Sequence, residues 1–234
     1  MDYPVVKSVA CEFLGTFALV FFTLTLSSSL FSTLVAAENY IALSIFSVLI
    51  LSPFIWLSQR LSGGFFNPSL TLSAMLFGGV SFKSGILAMS GQMAGGFVAM
   101  ILLKVTAERP EAALDYRGLS FLQALFAELL FSLLISLAYF FASLSRNSPK
   151  NVFGFAISAG VAASVSVLPN LHFTGANLAC LVPFAVLGMG DAYAGSLLGN
   201  VAGALLGGLL WKVCGESDAD KFQTLPLMEE EIKF

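Results

Sequence analysis

The sequence predicts an all-α integral membrane protein with six transmembrane helices and two re-entrant half-helices, arranged as two inverted repeats. Three observations predict it. Of the 234 residues, 57% are hydrophobic and only 11% are charged, less than half of the roughly one quarter that a soluble domain carries. Six apolar stretches are long enough to cross the hydrocarbon core, which takes roughly 20 residues of helix. Two shorter apolar stretches share an unusual opening and stand at matching places in the two halves of the chain.

Taken in order, the first span is expected from Val9 to Ser32, with Glu12 as its only charge. It is too long for the apolar part of a cleavable signal and lacks a small-residue cleavage site. The second runs from Ile41 to Leu57. The first short stretch then opens Ser62-Gly63-Gly64-Phe65-Phe66-Asn67-Pro68-Ser69-Leu70 and continues to Phe77. Asn67 suits a helix N-cap and Pro68 the first helical position. From there to Phe77 is about ten residues, or roughly 15 Å of helix, half the depth of the bilayer core. Irregular backbone at that depth survives only where it is buried in protein or lines water. Spans from Ser84 to Leu103, from Leu119 to Leu144 (with Glu128) and from Val152 to Leu168 follow. The second short stretch opens Thr174-Gly175-Ala176-Asn177-Leu178-Ala179-Cys180 and continues to Leu187, before a last span from Ala192 to Trp211.

Three anchors pair the halves in the same order. The carboxylates Glu12 and Glu128 lie 116 positions apart, the asparagines Asn67 and Asn177 lie 110 apart, and Gly91-Gln92-x-x-Gly95 precedes Gly199-Asn200-x-x-Gly203 by 108. Residues 1–234 therefore read as one transmembrane channel domain, with repeat one at about 8–107, repeat two at about 119–212 and a tail at 213–234. Three spans per half force the second half to insert upside down, so the half-helices enter from opposite faces and meet near the midplane. Paired interrupted helices of this kind point to a permeation site. Gly195, Gly199, Gly203 and Gly207, and likewise Gly91 and Gly95, form small faces for close helix packing.

Charge bounds the remainder. The net charge is −3 with no basic cluster, so no nucleic-acid partner is expected. Counted on the two sides of the predicted spans, Lys and Arg divide eight to three. The positive-inside rule then puts both termini in the cytoplasm, without telling a plasma membrane from an intracellular one. An eight-span model divides the charges identically, so segment length and the repeat decide for six spans. The acidic tail, with Glu216, Asp218, Asp220 and Glu229 to Glu231, keeps the chain end in water or serves sorting or partner binding. Cys11, Cys180 and Cys214 are odd in number and sit in or at the end of apolar stretches, which argues against a disulfide framework. No cofactor, metal site or catalytic residue is expected.

At the midplane each half-helix presents unpaired backbone N–H groups and a partial positive charge. Facing ends repel cations and favour a small neutral molecule that turns an oxygen toward them, with Asn67 and Asn177 as amide donors. Two half-helices opened by Asn-Pro-Ala boxes among six spans are the mark of the aquaporin family. Residues 8 to 212 resemble that family through the first box and its flanks, Glu12, Glu128 and Gln92-x-x-Gly95. The resemblance implies a homotetramer with one pore per subunit, conducting water and small neutral solutes such as glycerol. It also implies that Glu12 and Glu128, with Pro68 and Gln92, support the re-entrant loops.

The departures concern selectivity. The boxes read Asn-Pro-Ser and Asn-Leu-Ala, with Ser69 and Ala179 at the third place and Leu178 where proline is usual. Cys180 stands where most members place an arginine at the narrowest point, which widens the constriction and removes a barrier to positive solutes. Counting from the boxes puts other constriction residues at Phe46 or Ser47 and at Val165 or Val167, with Thr174 opening the second loop. Leu181 stands where glycerol-conducting members carry an aspartate. His172 lies by a pore mouth as a surface residue or a gate. Two rivals use the same residues: a proton-coupled secondary transporter working through Glu12 or Glu128, and a membrane organising protein with a vestigial pore.

Overall fold

The computed structural model describes residues 3–33, 49, 53–54, 57–58, 61–106, 120–141, 179, 182–183, 186 and 194–214. These form five continuous helices: α1 (Tyr3–Thr33), α2 (Pro68–Phe77), α3 (Phe82–Thr106), α4 (Phe121–Tyr139) and α5 (Ala194–Cys214). No strand occurs among the described residues. Four helices are long and apolar enough to cross a membrane, and α2, at 10 residues, is not. Within the expected second span, residues 49, 53–54 and 57 are helical, as is 58 just beyond it, and so are 179, 182–183 and 186 of the second short stretch. The expected fifth span lies outside the described residues.

Helix ends follow local chemistry more than hydropathy. Helix α1 begins at Tyr3, ahead of the apolar run, because an intrahelical backbone hydrogen bond forms whether or not the side chain is apolar. Helix α4 starts where Ser120 caps it. The Ser120 hydroxyl accepts from Gln123 N at 3.3 Å, and Gln123 Oε1 accepts from Ser120 N at 2.8 Å. This reciprocal box satisfies two N–H groups that the first turn leaves unpaired. Helix α2 stops at Gly78, whose φ of 90° suits a residue without a Cβ.

The helices pack in two pairs built alike, α1 with α3 and α4 with α5, and α2 lies against α5 and α3. In the first pair, Gly91 lies over the Val9 carbonyl oxygen and Gly95 over that of Phe13. In the second, Gly199 lies over Leu125 O and Gly203 over Leu129 O. The partners on α1 and α4 correspond at the offset of 116 that relates Glu12 to Glu128, and the glycines at 108. A Cβ on Gly91 would come within 2.6 Å of Val9 O, so only glycine admits this approach.

Burial along the helices departs from that of a soluble protein in two respects. On α4, Leu122, Phe126, Leu130 and Leu134 recur every fourth residue on an exposed face, while Glu128 is 0% exposed. Glu12, Thr71, Gln92 and Asn200 are likewise fully buried. Apolar side chains turned outward and polar ones inward are what a lipid solvent requires. An aromatic cluster of Phe65, Phe66, Tyr139, Phe140 and Trp211 joins the loop before α2 to α4 and α5. The Phe65 and Tyr139 rings lie 4.9 Å apart, and those of Phe140 and Trp211 5.3 Å apart.

Candidate functional site

The site begins with a backbone that needs help to hold its shape. Residues 61–67 enter the protein without regular structure, and Phe66 takes φ 49°, a left-handed conformation costly for a side chain of its size. Two features offset the cost. Gly15 on α1 leaves room for the Phe66 ring, which a Cβ there would strike. Glu12 supplies the hydrogen bonds.

Its carboxylate accepts four. Ser62 Oγ donates to Oε1 at 2.6 Å and Phe65 N at 3.1 Å, while Phe66 N donates to Oε2 at 2.9 Å and Gln92 Nε2 at 2.6 Å. A charged group inside lipid depth is tolerable only when so satisfied. Tyr139 holds the other side of the loop, its hydroxyl donating to Gly63 O at 2.9 Å. Hydropathy gave no hint of Tyr139, because its repeat position carries no matching motif.

Asn67 then caps α2 with φ −144° and ψ 117°. Its Oδ1 accepts from Ser69 N at 3.1 Å, which identifies the oxygen end of the amide and makes Nδ2 its donor end. Pro68 stands at the first helical position, where a missing N–H costs nothing. Behind the cap, Gln92 Nε2 also donates to Thr71 Oγ1 at 2.9 Å, and that hydroxyl lies 3.0 Å from Asn67 O. The single Thr71 hydrogen has two acceptors in reach, Asn67 O at 3.0 Å and Gln92 Oε1 at 3.1 Å. Glu12, Gln92 and Thr71 thus form one buried chain ending on the Asn67 backbone.

The second half repeats part of this. Asn200, the counterpart of Gln92, donates from Nδ2 to Glu128 Oε2 at 3.3 Å, and its carbonyl accepts from Ser132 Oγ at 2.6 Å. Ser69 Oγ donates to Asn200 Oδ1 at 2.5 Å, and Ser73 Oγ to Ala204 O at 2.7 Å. Ala179 is buried, with its carbonyl against Gly96 of α3. Glu12, Gln92, Asn67, Pro68 and Ser69 are therefore brought into one buried assembly, and Glu128 into a second that Ser69 joins. Asn177, Cys180, Phe46, Ser47, Val165 and Thr174 lie outside the described residues.

A family model described as Major intrinsic protein matches residues 2–211. The chain belongs to the major intrinsic protein family. It is thus an integral membrane protein of a family of channels. Aquaporin-2 of Bos taurus is 26% identical over 213 residues, 88% of this chain and 77% of that relative. Aquaporin-7 of Botryotinia fuckeliana is 27% identical over 128 residues, 53% of this chain, which spans only 27% of that relative's length. Among solved structures, the X-ray structure of the aquaglyceroporin from Plasmodium falciparum superposes with a TM-score of 0.70 at 17% identity, covering 89% of this chain and 96% of that one. The likeness is one of fold. It agrees with the all-helical, aquaporin-like architecture expected of this member of the family.

Proposed function

We propose that the protein is a passive channel for water and small neutral solutes such as glycerol, with an altered selectivity filter. The observation that carries this reading is the capped amide of Asn67 at the buried start of a half-length helix. Its oxygen is committed to the cap, so the other end of the amide is a donor, backed by the positive end of α2. Two such donors, Asn67 and Asn177, would hold a water by its oxygen and break the chain of hydrogen bonds along which a proton passes. Ser69, Ala179 and Thr174 flank the donors in this reading. Cys180, Phe46 or Ser47, and Val165 line the constriction. The second half-helix enters from the opposite face, both termini are cytoplasmic, residues 1–234 form one domain, and four copies assemble with one pore each.

Osmotic shrinkage of proteoliposomes, followed by light scattering, tests the reading. Vesicles holding the protein are expected to shrink faster than empty ones, and equal rates would sink the proposal. A small thiol reagent is expected to slow the flux, and Cys180→Ser to abolish that inhibition. Inhibition persisting in Cys180→Ser would move the reactive site to Cys11 or Cys214, the two free thiols on α1 and α5.

A further inference from the structure

The first box is fastened to the opposite repeat by two side-chain hydrogen bonds. Ser69 and Ser73 stand one turn apart on α2 and bond to Asn200 and Ala204, one turn apart on α5. Two rungs in the same register, each joining residues 131 positions apart, hold the half-helix parallel to α5. The lower rung ends on a backbone carbonyl. The upper one ends on a side chain that is itself held, because Asn200 Nδ2 reaches Glu128 on α4 and Ser132 of α4 bonds the Asn200 carbonyl.

No mirror image of the upper rung exists among the described residues. Ala179 occupies the repeat position of Ser69 and carries no hydroxyl. Gln92, the counterpart of Asn200, spends both amide hydrogens within its own repeat, on Glu12 and Thr71. Among the described residues, Asn200 ties a carboxylate of repeat two, Glu128, to the box of repeat one.

Ser69 makes this tie matter for function. Its hydroxyl bonds Asn200, while its N–H bonds Asn67 Oδ1 and orients the Asn67 amide. One residue carries both bonds, so a shift of Ser69 turns the donor. We propose that Asn200 is a positioning residue for permeation, acting through Ser69 to set the Asn67 amide and so the balance between water and larger solutes. The inference rests on the channel reading above. Both partners are fully buried, so neither loses its bond to solvent without cost.

The test is a cycle of Ser69→Ala, Asn200→Ala and the double variant, read as the ratio of glycerol to water permeability. A ratio does not depend on how many channels fold, so a merely structural role would leave it unmoved. Ser69→Ala produces the family's own Asn-Pro-Ala box, a change expected to fold. Each single variant is expected to shift the ratio about fivefold, the size of one buried hydrogen bond. The double variant is expected to shift it no further than the larger single effect. Unchanged ratios, or effects that multiply, would overturn the proposal. Hydrogen exchange separates this outcome from failure of the channel reading. Even if wild-type vesicles conduct nothing, Asn200→Ala is expected to speed exchange at the Ser69 and Thr71 amides and spare that of α1. Exchange there at the wild-type rate would refute the positioning role.

Discussion

Glu12 illustrates what a single residue does in this protein. Its two oxygens gather Ser62, Phe65, Phe66 and Gln92, drawn from the loop and from α3, around one point on α1. Truncation to alanine leaves two backbone N–H groups and an amide buried without an acceptor. At roughly 1–3 kcal/mol for each buried group left unsatisfied, Glu12→Ala is expected to destabilise the protein by about 3 kcal/mol or more. Thermal unfolding in detergent measures it, and a variant as stable as the wild type would show that the loop holds itself. Glu12→Gln keeps one acceptor and is expected to fall between the two. The pattern of a carboxylate at matching places in two halves was legible in the sequence. The identity of its donors was not, because Ser62, Phe65 and Phe66 are 50 to 54 positions away and Gln92 is 80.

At the scale of the element, the helices are defined by what approaches them. The glycines of α3 and α5 put backbone against backbone, which leaves no room for any side chain between the pair. In lipid this close approach replaces the hydrophobic drive that pairs helices in water. Gly203→Val is therefore expected to cost about 1–3 kcal/mol through overpacking against Leu129 and Leu133 on α4. Leu206→Val, at a position 41% exposed on the same helix, is expected to stay within about 0.5 kcal/mol. Equal melting temperatures for the two variants would contradict the packing account. Helix α2 obeys a different rule. Its start, Asn-Pro, and its stop, Gly78, were readable locally, since capping depends on neighbouring residues. Its attachment to α5 was not, since Ser69 and Ser73 look like any small polar residues on a short helix.

At the scale of the molecule, the described residues form two like pairs of helices that bury polar groups between them and turn aliphatic faces outward. This arrangement distinguishes the channel reading from a proton-coupled transporter. A coupling carboxylate must exchange a proton with water during each cycle, whereas Glu12 is 0% exposed and its oxygens are filled by four donors. Water and glycerol flux into proteoliposomes is accordingly expected to be the same with and without an imposed pH gradient. Solute accumulation that follows the gradient, and disappears in Glu12→Gln, would establish the transporter instead.

The sequence by itself determined the solvent, the four spans that the described residues show and the pairing of matched motifs. Composition tells water from lipid, helix length follows bilayer thickness, and matched motifs such as Glu12 with Glu128 survive at a nearly constant offset whatever the chain does between them. Caps, too, were local enough to read, as Asn67 and Pro68 were. Only the tertiary structure decided which polar groups meet. Tyr139 reaches Gly63, and Ser69 reaches Asn200, across 76 and 131 positions. Nothing in their own neighbourhoods marks these residues, since a hydroxyl acquires a specific partner only when packing removes the water that would otherwise satisfy it.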